Sequence, residues 1–278
     1  MAAVSMRGRD AERIPGFIAA FTGSHEYIAD YLSDEVLSQQ DETVRAFLLQ
    51  TSILERMSGP LCDAVTGQSG GQQALEGLKA TNLFVVSLDD ERSWFRYHHL
   101  FASLLRQRLQ QIQPGDMPEL HRRASVWYER NGLLVEAVKH ALRAEDLDRV
   151  EWLVAQRVLT MIYHGELATL IGWLEALPAQ FVRSRPWLCV IYAWVMAYSV
   201  RSDNIEAMLQ DAEYALEGVH EVAERRHITG HIAAIRAYIS IQKREIPRAI
   251  VLSREALELL SEEDLMVPVS LRQWQALG

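Results

Sequence analysis

The sequence predicts a mainly α-helical fold with one small β-hairpin, and three observations support this. Fifteen glycines and eight prolines in 278 residues are few, which favours helices over a β-sandwich. Apolar residues recur at helical spacing along most of the chain, and the connections between these stretches are short. One pair of β-rich segments interrupts this pattern. With 49% hydrophobic residues, the chain can bury a core large enough for two domains.

The first third of the chain predicts four helices before the β-rich segments. The first is expected over Ile28–Gln39, and Asp41 is a suitable N-cap for the second. A short third helix is expected over Pro60–Val65, ending at Gly67, and a fourth over Gln72–Thr81. The apolar face of the second helix is predicted to carry Val44, Phe47, Leu48, Ile53 and Leu54.

A hairpin is predicted next. The apolar run Leu83–Leu88 is followed by the acidic turn Asp89–Arg92 and then by the aromatic run Trp94–Phe101, which contains His98 and His99. The pattern after Leu100 predicts an amphipathic helix. Helices before a hairpin and one after it make a winged-helix-like unit.

The cluster Pro114-Gly115-Asp116-Met117-Pro118 breaks the pattern and predicts a domain boundary. Small residues at helical spacing in the later helices predict a degenerate array of tetratricopeptide-like repeats, with a period near 40 between Tyr198 and Tyr238. The predicted helices lie near residues 118–131, 133–143, 145–160, 163–176, 186–200, 203–218, 222–243 and 245–260.

Several short motifs between about Ser5 and Pro186 resemble, in order and spacing, those of the large ATP-dependent transcriptional regulators of the maltose-activator (MalT-like) type. These regulators belong to the LuxR family and the STAND class. The motifs are Phe21-Thr22-Gly23-Ser24, Asp30-Tyr31-Leu32, Glu35-Val36-Leu37, Phe47-Leu48-Leu49, Thr51-Ser52-Ile53-Leu54, Leu61-Cys62-Asp63-Ala64-Val65, Asn82-Leu83-Phe84, Trp94–Phe101 and Trp127-Tyr128.

The resemblance implies a middle portion of such a regulator. Residues 1–27 would be the tail of an ATPase domain, 28–113 a winged-helix domain, 114–185 a helical arm and 186–278 part of a superhelical sensor. The three lysines, Lys79, Lys139 and Lys243, do not fit the Gly-Lys-[Ser/Thr] of a phosphate loop. No cofactor is therefore expected in this chain alone, although ATP and ADP are implied for the family. The chain is therefore expected to be a truncated gene product, a partial gene model or an excised portion of such a regulator.

His98 is the principal candidate site residue. The resemblance implies that a histidine here contacts the diphosphate of ADP, which would require the missing ATPase domain. The alternative is that His98 and His99 cap or pack at a strand-to-helix junction. Arg96 is expected to point outward from an alternating strand.

Other candidate sites are weaker. His227 and His231 share a helix face with Glu224 one turn earlier, but no third metal ligand is evident, so a surface pair is expected. Cys62 and Cys189 are expected to be buried thiols of a protein in a reducing cytoplasm. No catalytic motif is present, so an enzyme is not expected.

Composition also limits the partners. A net charge of −9 and a helix Gln72–Ala80 with one lysine argue against direct DNA binding. The most apolar stretch, Trp187–Val200, is too short to span a bilayer. The predicted function is signal transduction in a transcriptional regulator, with an inducer or regulatory protein bound on the superhelix. The alternatives are a small-molecule sensor and a free-standing protein-binding scaffold. The aromatic anchors of such a scaffold would be Trp187, Tyr192, Trp194, Tyr198 and Tyr238.

Overall fold

The computed structural model describes residues 37–81, 83–199 and 204–261. This part of the chain is mainly α-helical with one two-stranded antiparallel hairpin, so the predicted fold class is confirmed. Two compact units divide between Asp146 and Leu147. The predicted domain limits follow the family resemblance and not the compact units, and they stay predictions. The predicted tail 1–27, most of the helix Ile28–Gln39, and Glu262–Gly278 lie outside the described residues.

A winged helix makes up most of the described part of the first unit. The three helices α1 (Glu42–Thr51), α2 (Gly59–Thr66) and α3 (Gly71–Ala80) precede the hairpin of β1 (Val85–Ser87) and β2 (Phe95–Tyr97), and α4 (His99–Ile112) follows it. Val85 pairs with Tyr97, and Ser87 pairs with Phe95.

Local sequence signals set the ends of these helices. The Asp41 carboxylate accepts the Val44 N–H at 2.8 Å, which confirms the predicted N-cap. The Ser58 hydroxyl takes the same role at α2, and Gly67 ends that helix with φ +71°, a conformation that suits glycine.

The predicted α1 was too long. The helix ends at Thr51, and the buried Ile53 and Leu54 lie just beyond it. Near the end the Thr51 hydroxyl donates to the Phe47 carbonyl at 2.6 Å, and the Ser52 hydroxyl donates to the Leu49 carbonyl at 2.6 Å. Such local hydrogen bonds compete with helix continuation. The apolar residues are therefore in the core as predicted, but on an irregular segment.

An antiparallel helix pair completes the first unit. A short 3₁₀ turn, Pro114–Asp116, leads into α5 (Met117–Arg130), and α6 (Leu134–Arg143) follows a tight connection in which Gly132 has φ +73°. The Ser125 hydroxyl donates to the Ala137 carbonyl at 2.8 Å and joins the two helices.

The second unit is helical throughout its described residues. Its helices are α7 (Leu147–Tyr163), α8 (Leu167–Glu175), α9 (Ala179–Arg183), α10 (Pro186–Tyr198), α11 (Ile205–Ala215), α12 (Val222–Gln242) and α13 (Ile246–Leu259). The prediction missed α9, which is only five residues long and follows Pro178. The other helices match the predicted positions within a few residues, as expected where the apolar periodicity is long.

Small residues bring the helices of this unit together. Fully buried alanines lie on α10, α11, α12 and α13, and they are Ala193, Ala212, Ala234, Ala237, Ala249 and Ala256. Arg236 on α12 ties down α11 through Glu206 and Glu213, each at 2.6 Å. The predicted close approach of small-residue faces is therefore present between α10, α11, α12 and α13.

Candidate functional site

The candidate site is the junction between β2 and α4. The turn before β2 is fixed by hydrogen bonds. The Asp89 carboxylate accepts the N–H of Ser93 at 2.8 Å and that of Trp94 at 3.1 Å. These bonds fix the wing and start β2. Phe95 and Tyr97 of β2 point into the core, where the Tyr97 hydroxyl and the Thr51 hydroxyl share a hydrogen bond of 2.7 Å.

His98 follows β2 directly and is the N-cap residue of α4. Its backbone N–H donates to the Phe84 carbonyl at 2.7 Å, and its carbonyl accepts the Ala102 N–H at 2.9 Å. The imidazole makes no capping hydrogen bond and is half-buried. The backbone is thus fixed on both sides, whereas the ring takes no part in capping the helix.

The surroundings of His98 favour an uncharged imidazole. Burial lowers its pKa, and the neighbouring His99 ring and Arg96 guanidinium lower it further. The His98 and His99 ring centroids lie 4.4 Å apart. Arg96 is exposed between the buried Phe95 and Tyr97, which confirms the predicted outward direction. A neutral imidazole, an arginine and the N-terminus of α4 together suit hydrogen bonding to an anion.

The second histidine motif differs from its prediction. His231 is fully buried, and the Trp194 indole N–H donates to its Nδ1 at 3.2 Å, so the pair is not a surface pair. His227 is exposed, and its ring lies 4.6 Å from that of His231. In the described ranges, no group of three side chains is placed to hold a metal ion.

The sequence interpretation missed another histidine pair. His121 on α5 and His140 on α6 are both buried, and their Nδ1 atoms lie 2.8 Å apart in a hydrogen bond. Burial lowers the pKa of His121 to about 4 and that of His140 to about 3. One signal was available, because His140 lies within the apolar face of α6 formed by Ala137, Val138 and Ala141.

Both cysteines are buried, as predicted, and burial raises the pKa of each thiol to about 12. Among the predicted aromatic anchors, Trp194 is fully buried, whereas Trp187, Tyr192, Tyr198 and Tyr238 are half-buried. In the described part of the chain, no helix is long and apolar enough to cross a membrane.

Comparison with known proteins agrees with this fold. Residues 33–117 match the family described as the MalT winged helix domain. The chain is 34% identical over 252 residues to the HTH-type transcriptional regulator MalT of Yersinia pestis (strain Pestoides F), which covers 91% of this chain and 27% of that protein. It is 35% identical over 243 residues to the regulator of the same name from Serratia proteamaculans (strain 568), covering 87% and 26%.

The chain thus spans about a quarter of the length of the curated relatives it matches. The family match begins before α1 and ends at Met117, the first residue of α5, so it takes in the hairpin and the junction at His98. Residues 33–117 thus match the MalT winged helix domain, and the chain is MalT-like over 91% of its length.

Proposed function

We propose that this chain acts within a signal-transducing transcriptional regulator, in which the winged helix couples the nucleotide state to a helical sensor. The observation that carries the proposal is His98, whose backbone is fixed between β2 and α4 while its ring caps no helix. A neutral imidazole that donates one N–H to a diphosphate would suit this role. The ATPase domain that supplies the nucleotide would be outside this chain.

The relatives support a regulatory role, because their name is that of a transcriptional regulator. For the sensor, the proposal uses the second unit. Its half-buried aromatic side chains, Trp187, Tyr192, Tyr198 and Tyr238, offer apolar contact area for an inducer or a regulatory protein.

Replacement of His98 by alanine is expected to weaken ADP retention and to raise transcription without inducer. The test uses the Yersinia pestis regulator with its matching segment exchanged for this chain. A hydrogen bond to a charged phosphate contributes about 1.5–3 kcal/mol, which corresponds to roughly a 10- to 100-fold loss of ADP affinity. The measurement is ADP release from the purified chimera, followed by reporter transcription.

His164→Ala is the control, because it removes an exposed imidazole from the second unit. It is expected to retain ADP like the unchanged chimera. Equal ADP affinity of the His98→Ala and unchanged chimeras would sink the sensing role. In that case the alternative function, a free-standing protein-binding scaffold, would be favoured.

A further inference from the structure

A set of cross-contacts joins the wing to the helix pair α5–α6. The Arg56 guanidinium lies over the Trp94 ring, with its Cζ atom 4.8 Å from the ring centroid, and donates to the Glu136 carboxylate on α6 at 2.8 Å. The Trp94 ring also meets Trp127 of α5 edge-on, with centroids 6.3 Å apart. Arg56 therefore contacts the wing and α6 at the same time.

The same segment is bonded to β2 through its backbone. Met57, the residue after Arg56, donates to the Phe95 carbonyl at 2.7 Å and accepts the Phe95 N–H at 2.8 Å. Phe95 and Met57 are fully buried. β2 is thus held from both sides, by β1 and by Met57.

Trp94 and His98 flank this one short strand. Trp94 precedes Phe95, the first residue of β2, and His98 follows Tyr97, the last. Because both strand residues with inward side chains are buried, the strand has little room to bend between its two ends. A shift at His98 would therefore be passed to Trp94, and through Arg56 to α6.

Further contacts join the pair α5–α6 to the winged helix. Lys139 donates to the Glu55 carboxylate at 2.5 Å, and this bond lowers the pKa of Glu55. Arg123 donates to the Val65 carbonyl at 3.2 Å, and the Tyr128 side chain is buried. Both α5 and α6 are thus bonded to the winged helix by polar contacts besides that of Arg56.

We propose that Arg56 is a positioning residue that ties β2, and with it His98, to α6, so that the winged helix and the pair α5–α6 move as one body. Its regulatory meaning rests on the proposed nucleotide-sensing role of His98, but the mechanical link does not. The planar guanidinium is needed because it stacks on Trp94 and hydrogen-bonds Glu136 together, which a lysine ammonium does less well.

The test compares Arg56→Met with the unchanged full chain, without nucleotide. Amide hydrogen exchange is followed by NMR at His98 and along α6, together with the His98 ring resonance. We expect about tenfold faster exchange at both places and a shift of the ring resonance in Arg56→Met. Arg56→Lys keeps the charge but loses most of the stacking, and we expect it to restore part of the protection.

Arg45→Met is the matched control. Arg45 lies on α1 of the same domain and pairs with Glu42 three residues earlier on that helix, so its loss removes an ion pair within one helix. It is expected to leave both signals unchanged. Should Arg56→Met prove poorly folded, Glu136→Gln removes the charge partner and leaves the Trp94 contact, and it is expected to give the same linked changes at smaller size.

Each remaining outcome would overturn the proposal. Faster exchange in α6 with an unchanged His98 signal would make Arg56 an ordinary structural contact. Unchanged exchange at both places would show that the link is absent, and an equal effect of Arg45→Met would show general destabilisation. Since no nucleotide is present, failure of the sensing role would appear only in the ADP experiment on the chimera.

Discussion

Acidification from about pH 7.5 to about pH 4.5 is expected to destabilise the first unit by on the order of 3 kcal/mol or more, chiefly through His121 and His140. Both imidazoles are buried, with 4% and 3% of their surface exposed. Burial disfavours the charged form and lowers both pKa values, and the Arg143 guanidinium adds to this at each ring. For His140, His121 and Lys139 contribute as well.

The direction of the effect follows from proton binding. In the unfolded chain each histidine has its ordinary pKa of about 6.5, whereas the folded values are about 4 and about 3. Between these limits the unfolded chain binds more protons than the folded one, so stability falls as the pH falls. The stabilising contribution of the two neutral imidazoles is fully present above about pH 6.5. It is lost as the pH falls to about 4 for His121 and to about 3 for His140.

His121→Gln tests the assignment. The glutamine amide can still donate to the Nδ1 atom of His140 but cannot take up a proton in this range. We expect lower stability at neutral pH and a loss of close to one proton from the pH dependence. The measurement is the free energy of opening of α5 and α6, from hydrogen exchange in urea at several pH values.

Ser125→Ala serves as the control, because it removes the hydroxyl hydrogen bond between α5 and α6 but no ionisable group. Its pH dependence should match that of the unchanged chain. The prediction is wrong if the opening free energy of α5 and α6 stays constant between about pH 7 and about pH 5.

The fold could be predicted largely because its signals are local or periodic. The N-cap at Asp41, the glycine stop at Gly67 and the long apolar runs of α10 and α12 depend on neighbouring residues only. The end of α1 depends on hydroxyl bonds of Thr51 and Ser52, and the five-residue α9 carries too few residues for a period. Neither leaves a clear mark in apolar spacing.

The candidate site was only partly accessible from the sequence. The position of His98 after a strand could be predicted, because the hairpin and the following helix have strong patterns. The contact of His121 with His140, and that of Arg56 with Trp94 and Glu136, join residues between 19 and 80 positions apart. Such contacts depend on how the elements pack, which no single segment of sequence encodes.

Gly71 illustrates the same limit. The predicted fourth helix begins at Gln72, which leaves Gly71 in the preceding loop with Gly70. Gly70 does have φ +97°, where a glycine is favoured. Gly71 is instead the first residue of α3, and it lies close to α2. Its N–H donates to the Asp63 carboxylate at 2.7 Å. Its lack of a side chain thus serves packing, which the sequence interpretation did not foresee.

Gly71→Ala is expected to destabilise the first unit by about 3 kcal/mol, at the upper end of typical overpacking. A Cβ atom there would lie 2.7 Å from the Gly59 carbonyl oxygen, 2.8 Å from the Asp63 Oδ1 atom and 2.9 Å from the Cys62 Cβ atom. The Gly59 oxygen is a backbone atom and the Cys62 Cβ atom is bonded directly to the backbone. Neither can move without its helix, so α2 and α3 must move apart.

Gly77→Ala is the matched control on the same helix, because nothing lies within 4 Å of its added Cβ atom. In this exposed position, alanine should stabilise by up to about 1 kcal/mol through its helix propensity. Urea unfolding of the three proteins measures both effects, and opposite signs are expected. Equal effects would mean that α2 and α3 do not approach each other as closely as this packing requires.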